Sequence, residues 1–308
     1  MTRRELIATA VTVPGLAATP RIDASRVSAI TDEIGITAES ALDFAKLYDL
    51  KWIELRNVPA KRPVKGPEYA RMPEADVKAA AATFRERGLK VSFLNSSLMK
   101  FQWPGTEPVR PRKGDPAKQI EQEARMFEQR LDTLRTAIRA AHILDVSKVR
   151  VFAGLRVAEP VKLFPRIADV LGEMAKIAEK EGIWLLIENE GACNVATCAE
   201  LVEILKRVPS KALGVNWDPL NETSQGEKPY PDGYAMLPKK RIGNVQIKGH
   251  SLLDEKRRLD WPAIFNALSK DGYKGQVGLE THYFSPNDDL IQKSHESMRE
   301  IMRLVRET

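Results

Sequence analysis

Residues 183–188 read Ile-Trp-Leu-Leu-Ile-Glu, an apolar run closed by a carboxylate. Three later runs repeat that design at intervals of roughly thirty residues, the length of one strand–helix unit. They are 213–218 (LGVNWD), 242–246 (IGNVQ) and 276–280 (QVGLE). Each ends on a side-chain oxygen: Glu188, Asp218, Gln246 and Glu280. Runs as apolar as 183–187 suit a parallel sheet covered on both faces. Four oxygen donors at corresponding strand ends suggest one site assembled from neighbouring strands.

Outward from these units the same alternation continues. Strands are expected at 27–31, 52–55, 89–94 and 149–152. Helices are expected at 38–49, with Leu42, Ala45 and Leu47 on the buried side, and at 73–87, 116–142, 161–180, 196–207, 261–269 and 288–306. Gly88 and Gly182 read as helix stops. Long connections fall at 57–72, at 95–114 (carrying Phe101 and Trp103) and at 219–238, where at most one short helix is expected. Eight strands alternating with helices in 308 residues give a single-domain α/β fold over 21–308, a (β/α)8 TIM barrel. An open doubly wound sheet would be expected to show a Gly-rich turn after its first strand, and TDEIGITAES (31–40) has one glycine.

Composition agrees with a globular enzyme: 43% apolar, 29% charged, and a mild net charge of +6 that reads as solubility. No basic block interleaved with aromatics points to nucleic acid. Cys193 and Cys198 have neither redox nor zinc spacing, and read as reduced thiols. The four histidines are too scattered for a zinc cluster. Residues 1–20 form a separate segment: Thr2-Arg3-Arg4-Glu5-Leu6 followed by an apolar run to Ala18. It resembles a twin-arginine export signal, which implies a periplasmic or secreted protein, with a cytoplasmic one as the alternative. The run is too short to span a bilayer, and no membrane anchor is expected after Arg21.

Strand residues alternate between faces with period two. Asn216 therefore shares its face with Asp218, Asn244 and Lys248 share theirs with Gln246, and Gly278 and His282 share theirs with Glu280. Three carboxylates and an amide oxygen form an all-oxygen set of the kind that holds hard divalent cations. Such an ion acidifies the carbon beside a carbonyl, and a loosely held carboxylate nearby can serve as the base.

The segments TDEIG (31–35), WIELRN (52–57), LLIENE (185–190), GVNWDP (214–219), NVQIKGH (244–250), LDWPAIFNAL (259–268) and YKGQVGLETH (273–282) resemble the xylose isomerase-like TIM barrels. That sugar phosphate isomerase/epimerase group also holds hydroxypyruvate isomerase, ketose 3-epimerases and inosose-processing enzymes. The likeness runs from residue 27 to the terminal helix. It implies that Glu188, Asp218, Gln246 and Glu280 bind one ion, Mn²⁺ first, with Mg²⁺ or Co²⁺ as alternatives. It further implies that Glu188 and Glu280 are catalytic, exchanging a substrate proton through a cis-enediolate. His is frequent in the family where Gln246 stands. Lys248 matches a family lysine and would stabilise an enediolate oxygen.

Further candidates for substrate contact are Glu54, Arg56, Asn95, Asn216, His282 and Trp103, the last with Phe101 as a hydrophobic lid or else packed against the barrel rim. Arg56 is suited to a carboxylate or phosphate, or else to a salt bridge across the barrel mouth. Glu33 reads as structural, Asn189 and Glu190 as supports behind the ligands, and His142 and His295 as surface residues. His250, where strand seven turns into a loop, is a weaker candidate. The expected reaction is isomerisation or epimerisation of a sugar or polyol ketone, unphosphorylated if the chain is exported. Elimination by a dehydratase or lyase of a 3-keto sugar uses the same constellation, and a non-catalytic sugar-binding barrel is the further alternative. An apurinic-endonuclease type of barrel needs a His-rich zinc cluster that this chain does not supply. A homo-oligomer is compatible with the family.

Overall fold

The computed structural model describes residues 21–110, 114–283 and 289–308; the expected export segment lies outside them. Eight parallel strands form one sheet: β1 (Val27–Ala29), β2 (Trp52–Leu55), β3 (Lys90–Leu94), β4 (Lys148–Val151), β5 (Trp184–Glu188), β6 (Leu213–Trp217), β7 (Ile242–Lys248) and β8 (Val277–Glu280). Their spatial order is β1-β8-β7-β6-β5-β4-β3-β2, and the two ends of the sheet meet at one parallel bridge, Ile30 with Glu54. The result is a nearly closed single-domain (β/α)8 barrel.

Outer helices pack on the strands through apolar stripes. In Phe164–Lys180, the residues Ile167, Leu171, Met174 and Ala178 recur at three- and four-residue spacing and are fully buried. Burying each of the larger ones stabilises the fold by about 1.5–3 kcal/mol. The helix Glu74–Glu86 stops before Gly88 and Phe164–Lys180 before Gly182, each glycine at positive φ, where a side chain would be strained. Cys198–Arg207 starts with a capping box between Thr197 and Glu200.

Five local expectations need correction. β1 ends at Ala29, because Thr31–Ile34 already forms a helical turn. Leu47 is 67% exposed, and Ala41 and Phe44 complete the buried stripe instead. The expected helix over 116–142 is two helices, Pro116–Glu128 and Arg130–Ile143, broken at Gln129 (ψ 3°). The connection 219–238 carries Pro219–Thr223 and a second helical stretch spanning Pro229–Gly233 and Tyr234–Met236. His295 is half-buried rather than on the surface: its ring packs on Phe44 and its Nδ1 meets the Tyr48 hydroxyl at 3.0 Å.

The barrel interior near the C-terminal strand ends is polar. Ser28, Glu54, Asn95, Asn216, Asn244 and Gln246 are all fully buried there, where a packed barrel favours branched apolar side chains. Register places Glu188 beside Asn216, Gln246 beside Gly278 and Lys248 beside Glu280.

Candidate metal centre

β5 ends on Glu188 and β8 on Glu280, while Asp218 follows β6 as the cap of Pro219–Thr223. The Asp-Pro pair explains that turn: Asp218 Oδ1 accepts from the N–H groups of Leu220 and Asn221, and Pro219 needs no partner for the hydrogen it lacks. Asp218 Oδ2 is left facing inward. Carboxylate oxygens of Glu188, Asp218 and Glu280 lie within 4.8 Å of one another. Gln246 sits inside β7, two residues before its end, because that strand runs on to Lys248.

Each carboxylate has its own cation. Arg150 Nη1 lies 2.8 Å from Glu188 Oε2, Lys248 Nζ 2.9 Å from Asp218 Oδ2, and Arg56 Nη1 2.8 Å from Glu280 Oε1. Lys248 also approaches Glu280 Oε2 at 3.8 Å and donates to Asn221 Oδ1. Burial pulls the Lys248 ammonium toward neutrality, but Asp218, Glu280, Glu190 and Glu188 outweigh it and hold the lysine charged. Burial pushes the Asp218 carboxyl up to about 6, with Lys248 opposing and the neighbouring Glu188 and Glu280 adding to the rise. For Glu280, burial is overridden by Lys248, His282 and Arg56, which hold it well below the usual carboxylate range.

The donors suit a hard cation. Among the described residues, Gln246 Oε1 and Glu280 Oε2 are buried yet accept no hydrogen bond, and Asp218 Oδ2 is served only by the Lys248 ammonium. Buried oxygens in that condition are costly unless something positive completes them. Together with Glu188 they form an all-oxygen set of the kind magnesium or manganese takes.

A cavity of about 610 Å³ reaches the site at Glu280; it is also lined by Arg56, Ser97, Lys100, Arg150 and His282 and walled by the 57–68 connection. Arg56 and His282, two of the candidates for substrate contact, line it. Arg56 is also the expected salt bridge across the mouth, bonding Asp32 and Glu33 as well as Glu280. Glu33 is structural as expected: it holds Arg56 and accepts the His282 backbone N–H. That contact fixes His282 at φ 58°, unusual for a residue with a side chain. Asn189 supports the site by exchanging hydrogen bonds with the Asp218 backbone, and Glu190 pairs with Lys100 at 2.8 Å. His250 stacks on Tyr283 and its Nδ1 meets Arg257.

Four further candidates for substrate contact do not line this cavity. Trp103 is fully buried, packs on Phe127 and donates to the Ala153 carbonyl at 2.8 Å; positive-φ Gly154 leaves room for its indole. It is a wedge in the wall and does not line the cavity. Glu54, Asn95 and Asn216 are also fully buried: Glu54 accepts from Gln246 and Asn95, and Asn216 donates to Glu188. The sequence reading missed Arg150 and Asn221. Arg150 had a signal, since it interrupts Val149 and Val151 on the same face parity as the site; Asn221, in a connection, had none.

A family model described as xylose isomerase-like TIM barrel matches residues 42–301. No curated protein matches the chain by sequence. Solved structures with the same fold include an E. coli 3-keto-D-glucoside 4-epimerase in its apo form (13% identity, 92% of this chain and 99% of that one, TM-score 0.62). An IOLI protein with a bound zinc atom is 19% identical over 90% of this chain and 98% of its own (TM-score 0.61). A Mycobacterium smegmatis protein of the same barrel type, in complex with magnesium, is 16% identical over 92% and 98% (TM-score 0.65). The chain belongs to the xylose isomerase-like TIM barrel family.

Proposed function

We propose that this protein is a divalent-metal-dependent isomerase or epimerase of a sugar or polyol ketone, working by proton transfer at the carbon beside a carbonyl. One observation carries the reading: carboxylate oxygens of Glu188, Asp218 and Glu280 gather within 4.8 Å of one another, and Glu280 also lines an open cavity. One similar barrel is a 3-keto-D-glucoside 4-epimerase, and two others hold zinc and magnesium, which supports it.

Glu188, Asp218, Gln246 and Glu280 would hold the ion, Mn²⁺ first, with Mg²⁺ or Co²⁺ as alternatives. When bound, it supplies positive charge that acidifies the carbon beside a carbonyl. Glu280, kept ionised by Lys248, His282 and Arg56, accepts the proton at neutral pH. Glu188, oriented by Arg150 and Asn216, returns one to the same or the adjacent carbon. Lys248 stabilises the negative oxygen that develops between these steps. The walls of the 57–68 connection restrict water over the reacting carbon.

The test is NMR-detected uptake of solvent deuterium into candidate ketoses and 3-keto glycosides by Mn²⁺-loaded protein. Exchange at one carbon is expected, falling by at least about a hundredfold in Glu280→Gln. Equal exchange in the variant, or none in the wild type with any ketose, sinks the reading. Export belongs to the same proposal: fractionation should find the mature protein outside the cytoplasm, and Arg3→Lys/Arg4→Lys should retain it inside.

A further inference from the structure

Glu54 is an ionisable group sealed inside the barrel, and nothing in the proposed reaction uses it. It is fully buried and does not line the cavity. All its contacts come from neutral donors. Oε1 accepts from Ser28 Oγ at 2.8 Å and Asn244 Nδ2 at 3.3 Å; Oε2 accepts from Asn95 Nδ2 at 2.8 Å and Gln246 Nε2 at 2.6 Å. Its place is reserved by β8, since a Cβ on Gly278 would fall 1.9 Å from Glu54 Oε1.

A carboxylate accepts and cannot donate, so it dictates which end of each neighbouring amide turns toward it. For Gln246 the NH₂ end must face down to Glu54, which leaves Oε1 aimed away and without a hydrogen bond. For Asn244 the NH₂ end faces Glu54 and is shared with Asn216 Oδ1 at 3.0 Å, and Asn216 then donates Nδ2 to Glu188 Oε2 at 2.9 Å. One buried carboxylate thereby sets the direction of two chains of hydrogen bonds, one ending on Gln246 and the other on Glu188. An amide ligand needs this more than a carboxylate does, because its wrong end carries hydrogens and repels a cation.

We infer that Glu54 is a positioning residue that keeps the Gln246 oxygen, and through Asn244 and Asn216 the Glu188 carboxylate, turned for a divalent cation. The inference rests on the four-oxygen cation site proposed above. Its consequence is that Gln246 acts as a ligand only while an acceptor lies beneath it.

The experiment measures Mn²⁺ and Mg²⁺ dissociation constants by calorimetry, without substrate, in wild type, Glu54→Gln and Glu54→Gln/Gln246→Glu, with circular dichroism melts as the check on folding. Glu54→Gln places hydrogens against an amide that also presents hydrogens. It should weaken binding about ten- to a hundredfold, the usual cost of losing a partner behind a ligand. The double variant exchanges donor and acceptor: Gln at 54 donates, and Glu at 246 turns its free oxygen upward. It should recover most of the lost affinity, which a simple packing defect would not do. Should Glu54→Gln fail to fold, the double variant carries the test, with affinity near wild type expected. If folded Glu54→Gln binds as tightly as wild type, or the folded double variant binds no metal, the inference is overturned while the cation site stands. If wild type binds neither ion, both fall.

Discussion

Replacing Arg150 by methionine should damage the metal-free protein more than the metal-loaded one. The Arg150 guanidinium is 6% exposed and donates to Glu188 Oε2 at 2.8 Å and to the Ser96 and Asn95 carbonyls at 3.1 Å each. Methionine fills most of the same volume and provides none of those donors. Removing one partner of a buried ion pair costs about 3–5 kcal/mol, because the other charge stays behind unpaired. At about 2 °C per kcal/mol for a chain of this size, melting in chelator should fall by roughly 6–10 °C. A cation at a hundred times its dissociation constant returns about 2.7 kcal/mol to any protein that binds it only when folded. In Arg150→Met the return should be larger, since Glu188 no longer divides its charge between arginine and ion. The assay is a pair of thermal melts, in chelator and in saturating Mn²⁺, for wild type and variant. A loss under about 2 °C in chelator, or a Mn²⁺-induced rise no greater than that of wild type, would refute this reasoning.

Two further perturbations probe the layers below the ligands. Lys148 is half-buried, hydrogen-bonded among the described residues to the Gly243 carbonyl and Gln276 Oε1, and burial lowers its pKa from 10.5 to about 8. The charged form is disfavoured in the fold, so the penalty is full below pH 8 and relieved as pH rises to about 10.5. Relative to Lys148→Met, wild type should therefore gain about 3 kcal/mol between pH 7 and pH 10.5 in urea unfolding; parallel profiles would contradict the assignment. Gly278→Ala drives a methyl into the Glu54 carboxylate. It should cost about 1–3 kcal/mol by overpacking and weaken Mn²⁺ binding, and an unchanged dissociation constant would separate Glu54 from the metal.

Much of this was legible because strand periodicity carries position as well as structure. Residues 183–188 and 276–280 end on Glu188 and Glu280, and the parity of two placed Asn216 and Asn244 inside correctly. Parity cannot give depth or partners. Glu54, Asn95 and Asn216 are fully buried and hydrogen-bond Gln246, Glu54 and Glu188, contacts that parity alone does not record. Gln246 read as a strand end, but Ile247 continues the apolar row on the opposite face and the strand runs on to Lys248. Trp103 could be read as lid or as rim packing, because an aromatic in a long connection looks alike in sequence either way; it is packed in the wall. The pairing of each site carboxylate with Arg150, Lys248 or Arg56 joins strands and loops distant in sequence, and no local pattern records it.

The most direct test is a crystal structure of Mn²⁺-soaked protein with anomalous scattering at the manganese edge. A single peak is expected within bonding distance of Glu188, Asp218, Gln246 Oε1 and Glu280, with the Lys248 ammonium moved away from Asp218 Oδ2. A peak at the neighbouring Glu33, Glu280 and His282 group instead, or no peak while Lys248 stays 2.9 Å from Asp218, would contradict the account.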